Sequence, residues 1–183
     1  MRYTALPQST HELVTIRPLT RADTAAWYAY LSLPAVYEHT SWDVQSADDL
    51  AHYLAANEAM TPDSAARFAI ALRAGNDFVG TAGFHSVSDR NRTAEIAYDL
   101  APANWGRGIA HAVCDSLVQW AFDHVGLVRV QATALESNAR SMTVLQRCRF
   151  EREGYLRNYR MVRGKPGNFW LYSRIPAAVS ESS

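Results

Sequence analysis

Two glycines stand close together in the middle of the chain, in the segment 103–110, which reads ANWGRGIA. Gly106 and Gly108 let the backbone turn tightly and let a ligand approach the main chain. A helical pattern follows directly, and the first turn of a helix carries N–H groups that have no intrahelical partner. Those donors, the positive end of the helix dipole and the charge of Arg107 favour an anion, for which a diphosphate is the natural candidate.

The same spacing has simpler interpretations. A pair of glycines also occurs at ordinary turns before helices, and the pair alone supports the two interpretations about equally. A dinucleotide-binding GxGxxG motif is disfavoured because His111 stands at the position of its third glycine and no early strand-helix-strand unit precedes it. No GxxxxGK[ST] sequence occurs in the chain, which excludes a P-loop.

Three further polar residues occur inside patterned segments. Residues 94–100 alternate as a strand, so that Glu95 shares a face with Asp99, opposite an apolar face. Alternation alone favours a solvent-facing carboxylate at Glu95. Asn138 and Ser141 lie on the apolar side of a later helical pattern, where a capping Asn and a Ser bonded to the preceding turn are the simplest interpretations.

Hydrophobic periodicity predicts the elements that position these residues. Strands are predicted at residues 13–19, 67–72, 78–84, 94–100, 128–134, 150–157 and 169–175. Helices are predicted after the capping signals at Thr20 with Asp23 and Ser46 with Asp49, from residue 105, and over residues 137–148. This order predicts an α/β (α+β) fold with a mixed, mostly antiparallel sheet of about seven strands and helices on both faces. A ligand crevice is expected where the parallel crossover begins.

The composition fits a single domain over residues 1–183. The chain has a formal net charge of zero and 48% hydrophobic residues, so a sizeable core is expected and no global charge attracts nucleic acid or a membrane. The absence of a long apolar run and of signal-peptide features predicts a cytoplasmic location. Cys114 and Cys148 match no disulfide framework or zinc motif, so we expect free thiols and no metal. The tail AAVSESS is expected to fray.

The stretch 94–158, AEIAYDLAPANWGRGIAHAVCDSLVQWAFDHVGLVRVQATALESNARSMTVLQRCRFEREGYLRN, resembles the core of the GNAT family of N-acetyltransferases. It is most similar to the family's ribosomal-protein N-terminal acetyltransferase branch, the RimJ/RimL-like proteins. Residues 15–19 and 171–173 are similar to the first and last strands of that branch, so the resemblance covers nearly the whole chain. It implies the GNAT-type sheet, acetyl-CoA as cosubstrate and an amine acceptor, either a protein N-terminus or a small molecule. A homodimer is left open, and no nucleic acid or membrane partner is expected.

The resemblance also implies which residues contact the coenzyme. The family's pyrophosphate-binding turn falls on Gly106, Arg107, Gly108, Ile109 and Ala110. The main-chain groups implied to pair with the pantetheine arm are those of Tyr98, Asp99 and Leu100. A backbone N–H there would polarise the thioester oxygen. Of the two helical residues, Asn138 is implied to hydrogen-bond pantetheine and Ser141 to lie near the sulfur or the phosphates.

Acetyl transfer to an amine needs a general base that takes a proton from the ammonium. A general acid can also supply a proton to the departing thiolate. The resemblance implies Glu95 as the general base, with His85 and Asp99 as weaker alternatives. Ser141 is favoured as the general acid, unless Tyr155 reaches the site. Thiolate is itself a tolerable leaving group, so the lack of an acid would not abolish the reaction.

The chain departs from the family's pattern at Arg149, where a glycine is usual, and at Asn168, where Asp is common. A left-handed helix end at Arg149 would cost about 1 kcal/mol. The acceptor groove is implied to lie in the first helical region, although aromatic residues at helical spacing are more often core. The candidates there are Trp27, Tyr28, Tyr37, His39, Trp42, Asp43 and Tyr53.

Two other functions stay open at this stage, a non-catalytic acyl-CoA-binding sensor and a nucleotide-binding oxidoreductase domain. The presence of Glu95, Asn138 and Ser141 favours an enzyme over a sensor. The missing third glycine and the late position of the glycine-rich turn disfavour the oxidoreductase. Neutral net charge argues against a polyamine or a polybasic tail as the acceptor.

Overall fold

A computed structural model describes residues 1–41, 44–59, 61 and 63–177. Trp42 and Asp43, two of the acceptor candidates, and residues 178–183, most of the tail predicted to fray, lie outside the described residues. In the described part of the chain seven strands form one sheet in the order β1-β2-β3-β4-β5-β7-β6. They are β1 Val14–Pro18, β2 Ala66–Leu72, β3 Phe78–Ser88, β4 Thr93–Leu100, β5 Arg129–Leu135, β6 Glu151–Val162 and β7 Lys165–Arg174.

Neighbouring strands of this sheet are antiparallel except β4 and β5, which are parallel. The turn after β2 joins it to β3 as the predicted antiparallel hairpin. The predicted mixed, mostly antiparallel sheet is therefore confirmed, and the glycine-rich turn lies in the crossover that joins its two parallel strands.

Helices cover both faces of the sheet, as predicted. They are α1 Thr24–Leu31, α2 Pro34–Tyr37, α3 Ala51–Ala59, α4 Ile109–Trp120 and α5 Ala139–Arg147. On one face Trp27 and Leu50 pack against Ala69 of β2 in a buried cluster. On the other face Val113 of α4 packs with Ile96 of β4 in the main core. Each strand in the centre of the sheet is consequently buried on both sides.

The last hairpin is longer than the sequence predicts. β6 and β7 continue to a two-residue turn at Arg163 and Gly164, which have φ of +49° and +75°. β6 lies at the edge of the sheet and most of its residues are exposed, so it lacks the apolar alternation that marks a half-buried strand. A register irregularity between Leu156 and Arg160 further interrupts the pattern. Arg160 therefore falls outside the predicted strand but inside the real one.

Candidate active site

The glycine-rich turn and the start of α4 border a cavity of about 460 Å³, the first cavity. Gly106 and Gly108 have φ of +74° and +80°, a region in which glycine is unstrained. Gly108 is the N-cap of α4, and the N–H groups of Ile109, Ala110 and His111 meet no acceptor among the described residues. The turn thus presents free donors at the positive end of a helix. Every residue predicted to contact coenzyme lines this cavity, while their binding roles stay predictions.

β4 separates from β5 halfway along its length. The pairing with β5 ends at Glu95, whereas the pairing with β3 continues to Leu100. The N–H of Ala101 donates to β3 at 2.9 Å. The main-chain groups of successive residues point to opposite edges of a strand, so those of Tyr98 and Leu100 face the gap. The Leu100 carbonyl accepts from the Trp105 indole at 2.8 Å. The groups left in the gap are both main-chain groups of Tyr98 and the N–H of Leu100.

Asp99 is held on both its main chain and its side chain by neighbouring elements. Its main-chain groups face Thr81 of β3, so they do not line the gap between β4 and β5. Its carboxylate accepts hydrogen bonds from Arg67, Thr81 Oγ1 at 2.7 Å, Trp27 Nε1 at 3.1 Å and Tyr30. This buried network lies on the face covered by α1. Asp99 also lines the first cavity, and its contributions to coenzyme binding and to base catalysis stay predictions.

Asn138 and Ser141 lie at the first turn of α5, beside the gap. The Asn138 Oδ1 accepts from the Ser141 N–H at 3.0 Å, and its Nδ2 donates to the His39 carbonyl at 3.1 Å. The Ser141 hydroxyl lies 3.1 Å from the Tyr98 phenol. Burial raises the pKa of Tyr98 well above its usual value, so the phenol is protonated at neutral pH. The sequence resemblance named only the main-chain groups of Tyr98 and did not indicate this phenol as a proton source.

A second cavity of about 110 Å³ shares part of its lining with the first. The residues common to both are His39, Thr40, Tyr98, Asn138 and Ser141. The second cavity extends between β3, β4, β5 and the tip of the β6–β7 hairpin, and Glu95 is in its wall. The candidate coenzyme site and the candidate base therefore belong to one continuous depression.

Glu95 is 2% exposed, which corrects the solvent-facing position that alternation favours. Thr133 Oγ1 of β5 donates to its Oε1 at 2.6 Å. Arg160 Nη2 of β6 donates to Oε1 and Oε2 at 3.1 and 3.2 Å. Alternation reports which face Glu95 occupies, but β5 and β6 bring these partners over that face.

His85 of β3 is the cross-strand neighbour of Glu95, with its Nε2 3.8 Å from Glu95 Oε1. Burial lowers the pKa of His85, and the Glu95 charge opposes that shift in part. The imidazole is uncharged at neutral pH, so a ring nitrogen lone pair is available beside the carboxylate. His85 and Glu95 together form the candidate proton acceptor.

Three other candidates lie outside both cavities. The Tyr155 hydroxyl donates to Glu136, so it does not reach the gap. The position of Tyr155 therefore does not support it as the alternative to Ser141 as general acid. Asn168 Nδ2 also donates to Glu136, at 3.2 Å, a bond that an Asp could not make. Cys148 is buried at the end of α5, with its Sγ 3.4 Å from the His111 carbonyl, in agreement with a small packed side chain.

The aromatic acceptor candidates belong mostly to the core. Trp27 is fully buried, and Tyr28 and Tyr53 pack against the same cluster. Tyr37 is exposed and lines neither cavity, whereas His39 lines both. Among the helices that the structure describes, none has the length and hydropathy of a membrane span.

Residues 14–151 match the family model of the acetyltransferase (GNAT) domain. The chain is 29% identical over 168 residues to the uncharacterized N-acetyltransferase p20 of Bacillus licheniformis, covering 90% of this chain and 93% of that protein. The start of α4 is glycine-rich and lies beside two strands that separate, and the family model matches most of the chain. Together these findings define an acyl-CoA-dependent acyltransferase. The chain belongs to the GNAT family.

Two solved structures share this fold. RimJ of Mycobacterium smegmatis, in complex with CoA-disulfide, superposes with a TM-score of 0.79 at 23% identity, covering 96% of this chain and 88% of that one. The microcin C7 self-immunity acetyltransferase MccE, in complex with acetyl-CoA and AMP, has a TM-score of 0.79 at 20% identity, covering 91% and 94%. The predicted GNAT-type architecture is thereby confirmed, and the RimJ-like branch is among its structural neighbours.

Proposed function

We propose that this protein transfers the acetyl group of acetyl-CoA to a primary amine by direct attack within a ternary complex. The acceptor is the amine of a protein N-terminus or of a small molecule. The observation that carries the proposal is the continuity of the two cavities. Free N–H donors at α4 lie at one end, the Glu95–His85 pair lies at the other, and the gap between β4 and β5 connects them.

The first cavity fits a long, anionic thioester. The N–H groups at the start of α4 suit a diphosphate, and Arg107, Arg140 and Arg147 line the same cavity with positive charge. The free main-chain groups of Tyr98 and Leu100 suit an extended amide-containing arm. When bound, acetyl-CoA supplies the activated acetyl group. A β4 N–H in the gap then polarises its carbonyl, as a fixed dipole aimed at developing negative charge.

The second cavity and the start of α5 handle the protons. Glu95 and His85 accept a proton from the acceptor ammonium, which makes the nitrogen nucleophilic. On the other side of the gap, the Ser141 hydroxyl is hydrogen-bonded to the protonated Tyr98 phenol. This pair can deliver a proton to the departing sulfur, with Tyr98 replenishing Ser141.

The test is a panel of amines incubated with acetyl-CoA and followed by release of free thiol. Acetylation of at least one amine, detected by mass, is expected. Binding of acetyl-CoA without transfer to any amine would contradict the proposal and indicate a non-catalytic sensor. Turnover in the presence of a chelator checks the predicted independence from metal. Cell fractionation and light scattering check a cytoplasmic location and a homodimer, which also stay predictions.

A further inference from the structure

The guanidinium of Arg160 has hydrogen-bonding capacity that the protein does not use. Its Nη2 donates to both oxygens of Glu95 and to the Tyr159 hydroxyl at 3.4 Å. Its Nε and Nη1 make no hydrogen bond to any described residue. The Tyr159 and Phe169 rings lie 4.8 and 5.8 Å from its Cζ and hold the group in place. The side chain lines the second cavity and is 33% exposed, so these N–H groups are accessible from it.

The ionisable side chains that line the second cavity, among the described residues, are His39, His85, Glu95, Tyr98 and Arg160. The carboxylate of Glu95 is already matched by Arg160. His85 is uncharged at neutral pH because burial lowers its pKa. This part of the cavity wall consequently offers no uncompensated negative charge to a second ammonium, but it offers cationic N–H donors to an anion.

We infer, on the basis of the proposed function, that the acceptor is a small amine bearing a carboxylate a few bonds from its nitrogen, with the carboxylate bound by Arg160 and the nitrogen beside Glu95 and His85. A guanidinium–carboxylate hydrogen bond is charge-assisted and about twice as strong as a neutral one. The volume of about 110 Å³ suits the small end of an amino acid rather than a bulky acceptor.

This arrangement discriminates against two other kinds of amine. A polyamine brings extra positive charge toward Arg160, where like charges repel and no free carboxylate waits among the described lining residues. An amide or a peptide N-terminus replaces the carboxylate by a neutral carbonyl, which weakens the bond to the guanidinium. A site built around a polar group of its substrate loses most when that group is absent.

The first experiment compares matched acceptors on the wild-type protein saturated with acetyl-CoA. Each series contains an amino acid, its carboxamide and its decarboxylated amine, and spermidine is added as the polyamine. The affinities are measured by calorimetry on the protein in complex with CoA, in which no transfer can occur. The kcat/KM values are measured by thiol release on the protein saturated with acetyl-CoA. We expect the amino acid of the best series to bind about 10- to 100-fold more tightly than its carboxamide. Equal or tighter binding of the carboxamide or of spermidine would overturn the inference.

The second experiment asks whether Arg160 causes that preference. In Arg160→Gln the ratio of the amino acid's kcat/KM to that of its carboxamide should fall by about 10- to 100-fold. The ratio within one variant cancels intrinsic differences between the amines and any general loss of activity. Arg157→Gln is the matched control, because Arg157 lies exposed on the same strand and lines neither cavity, so its ratio should not change. An unchanged ratio in Arg160→Gln would contradict the assignment.

The two experiments separate this inference from the proposed function. Transfer to carboxamides or polyamines in preference to amino acids would support the proposed acetyltransferase function but contradict the inferred class of acceptor. Absence of transfer to every amine would contradict the proposed function, and the calorimetric comparison would still decide whether the cavity selects carboxylates. Because that comparison uses the wild-type protein, it stands even if Arg160→Gln does not fold.

Discussion

At the scale of single residues, the surroundings of Glu95 determine its chemistry. A buried carboxylate stays charged at a tolerable free energy only when it is paired and hydrogen-bonded, and Arg160 and Thr133 provide both. A carboxylate has more acceptor sites than these bonds occupy, so it can still receive a proton. His85 beside it adds a neutral nitrogen base. The proton acceptor that we propose is therefore the pair rather than Glu95 alone.

Glu95→Gln should lower turnover by roughly 10²-fold, because the amide keeps the shape and one acceptor oxygen of the side chain but removes the basicity. The affinity for acetyl-CoA should hardly change. The deficit should shrink as pH rises, since more of the amine then arrives unprotonated. Steady-state kinetics over a pH series measure this, with the exposed Glu151→Gln on β6 as the control. Wild-type turnover of Glu95→Gln at every pH would show that Glu95 only orients Arg160.

His85 should make stability depend on pH in the acidic range. Its folded-state pKa is below the unfolded value of 6.5, so the unfolded chain binds more protons between the two values. The stability contributed by neutral His85 is fully present above pH 6.5 and is lost as the pH falls through the folded pKa. Urea unfolding should show the free-energy advantage of the wild type over His85→Gln shrinking as pH falls below 6.5. A difference that does not vary with pH would contradict this prediction.

At the scale of elements, the start of α4 shows how a turn becomes a binding surface. Two left-handed glycines end the connection from β4 and leave the first N–H groups of the helix pointing into the cavity. The Arg107 carbonyl is 2.9 Å from His11 Nε2, and the Arg107 guanidinium donates to Asn104 at 3.3 Å, so the turn is held from both sides. Its donors are fixed in position before any anion arrives.

Gly108→Asp should abolish acetyl-CoA binding while the domain still folds. The new Cβ would have only His11 Nε2 within 4 Å, at 3.9 Å, so the packing tolerates it, but the carboxylate would repel a diphosphate at the helix start. Gly126→Asp is the matched control, because Gly126 has φ of +77° after the far end of the same helix. Calorimetry measures both variants. Undiminished affinity in Gly108→Asp would remove the anion site from this turn.

The end of α5 carries a strained residue that can be relieved. Arg149 has φ of +61°, and the N–H groups of Arg149 and Phe150 donate to the carbonyls of Gln146 and Leu145, each at 3.0 Å. This is a Schellman ending, in which glycine is the favoured residue. The left-handed conformation expected from the departure at this position is confirmed.

Arg149→Gly should raise the free energy of unfolding by about 1 kcal/mol, because glycine adopts a positive φ without steric cost. The 3.4 Å contact of Arg149 with Asp115 is exposed and contributes little, and Arg174 still pairs with Asp115 at 2.6 Å. Arg147→Gly, inside the helix, should instead destabilise by about 1 kcal/mol. Urea denaturation measures both changes. A destabilised Arg149→Gly would show that the exposed ion pair outweighs the strain.

At the scale of the whole molecule, the wall of the second cavity includes residues 39–41, and hydrogen bonds from two distant elements hold this segment. Arg163, in the turn between β6 and β7, donates to the carbonyls of Tyr37, Glu38 and Thr40 at 2.7, 3.0 and 3.0 Å. Asn138 of α5 donates to the carbonyl of His39 between them. The end of α2 is thereby fixed between the hairpin and the coenzyme-side helix. The wall shared by the two cavities depends on this arrangement.

Arg163→Ala should raise the KM for the acceptor by roughly 10-fold, because three charge-assisted hydrogen bonds to the segment 37–40 are lost and His39 and Thr40 of that segment line the second cavity. The affinity for acetyl-CoA should change far less, since the first turn of α4 does not contact Arg163. Lys165→Ala, an exposed substitution on the other side of the same turn, is the control. Steady-state kinetics with the acceptor varied provide the measurement. An unchanged KM would show that the wall holds its shape without this contact.

The sequence alone determined what depends on local geometry. Alternation and helical periodicity placed most strands and helices, the paired glycines marked a tight turn before a helix, and the missing glycine at Arg149 marked a strained helix end. Each of these features follows from steric limits on neighbouring residues. The resemblance of residues 94–158 added the family and the coenzyme-side residues.

The tertiary structure alone decided which side chains contact the candidate site residues. Glu95 meets Thr133 of β5 and Arg160 of β6 only because these strands assemble with β4 into one sheet, at sequence separations of 38 and 65 residues. The network around the Asp99 carboxylate and the bond between Tyr98 and Ser141 have the same origin. Periodicity tells which face a side chain takes but not what covers that face. The part of the exposed edge strand that carries Arg160, beyond residue 157, gave no periodic signal, because solvent on its outer side places no apolar requirement on its residues.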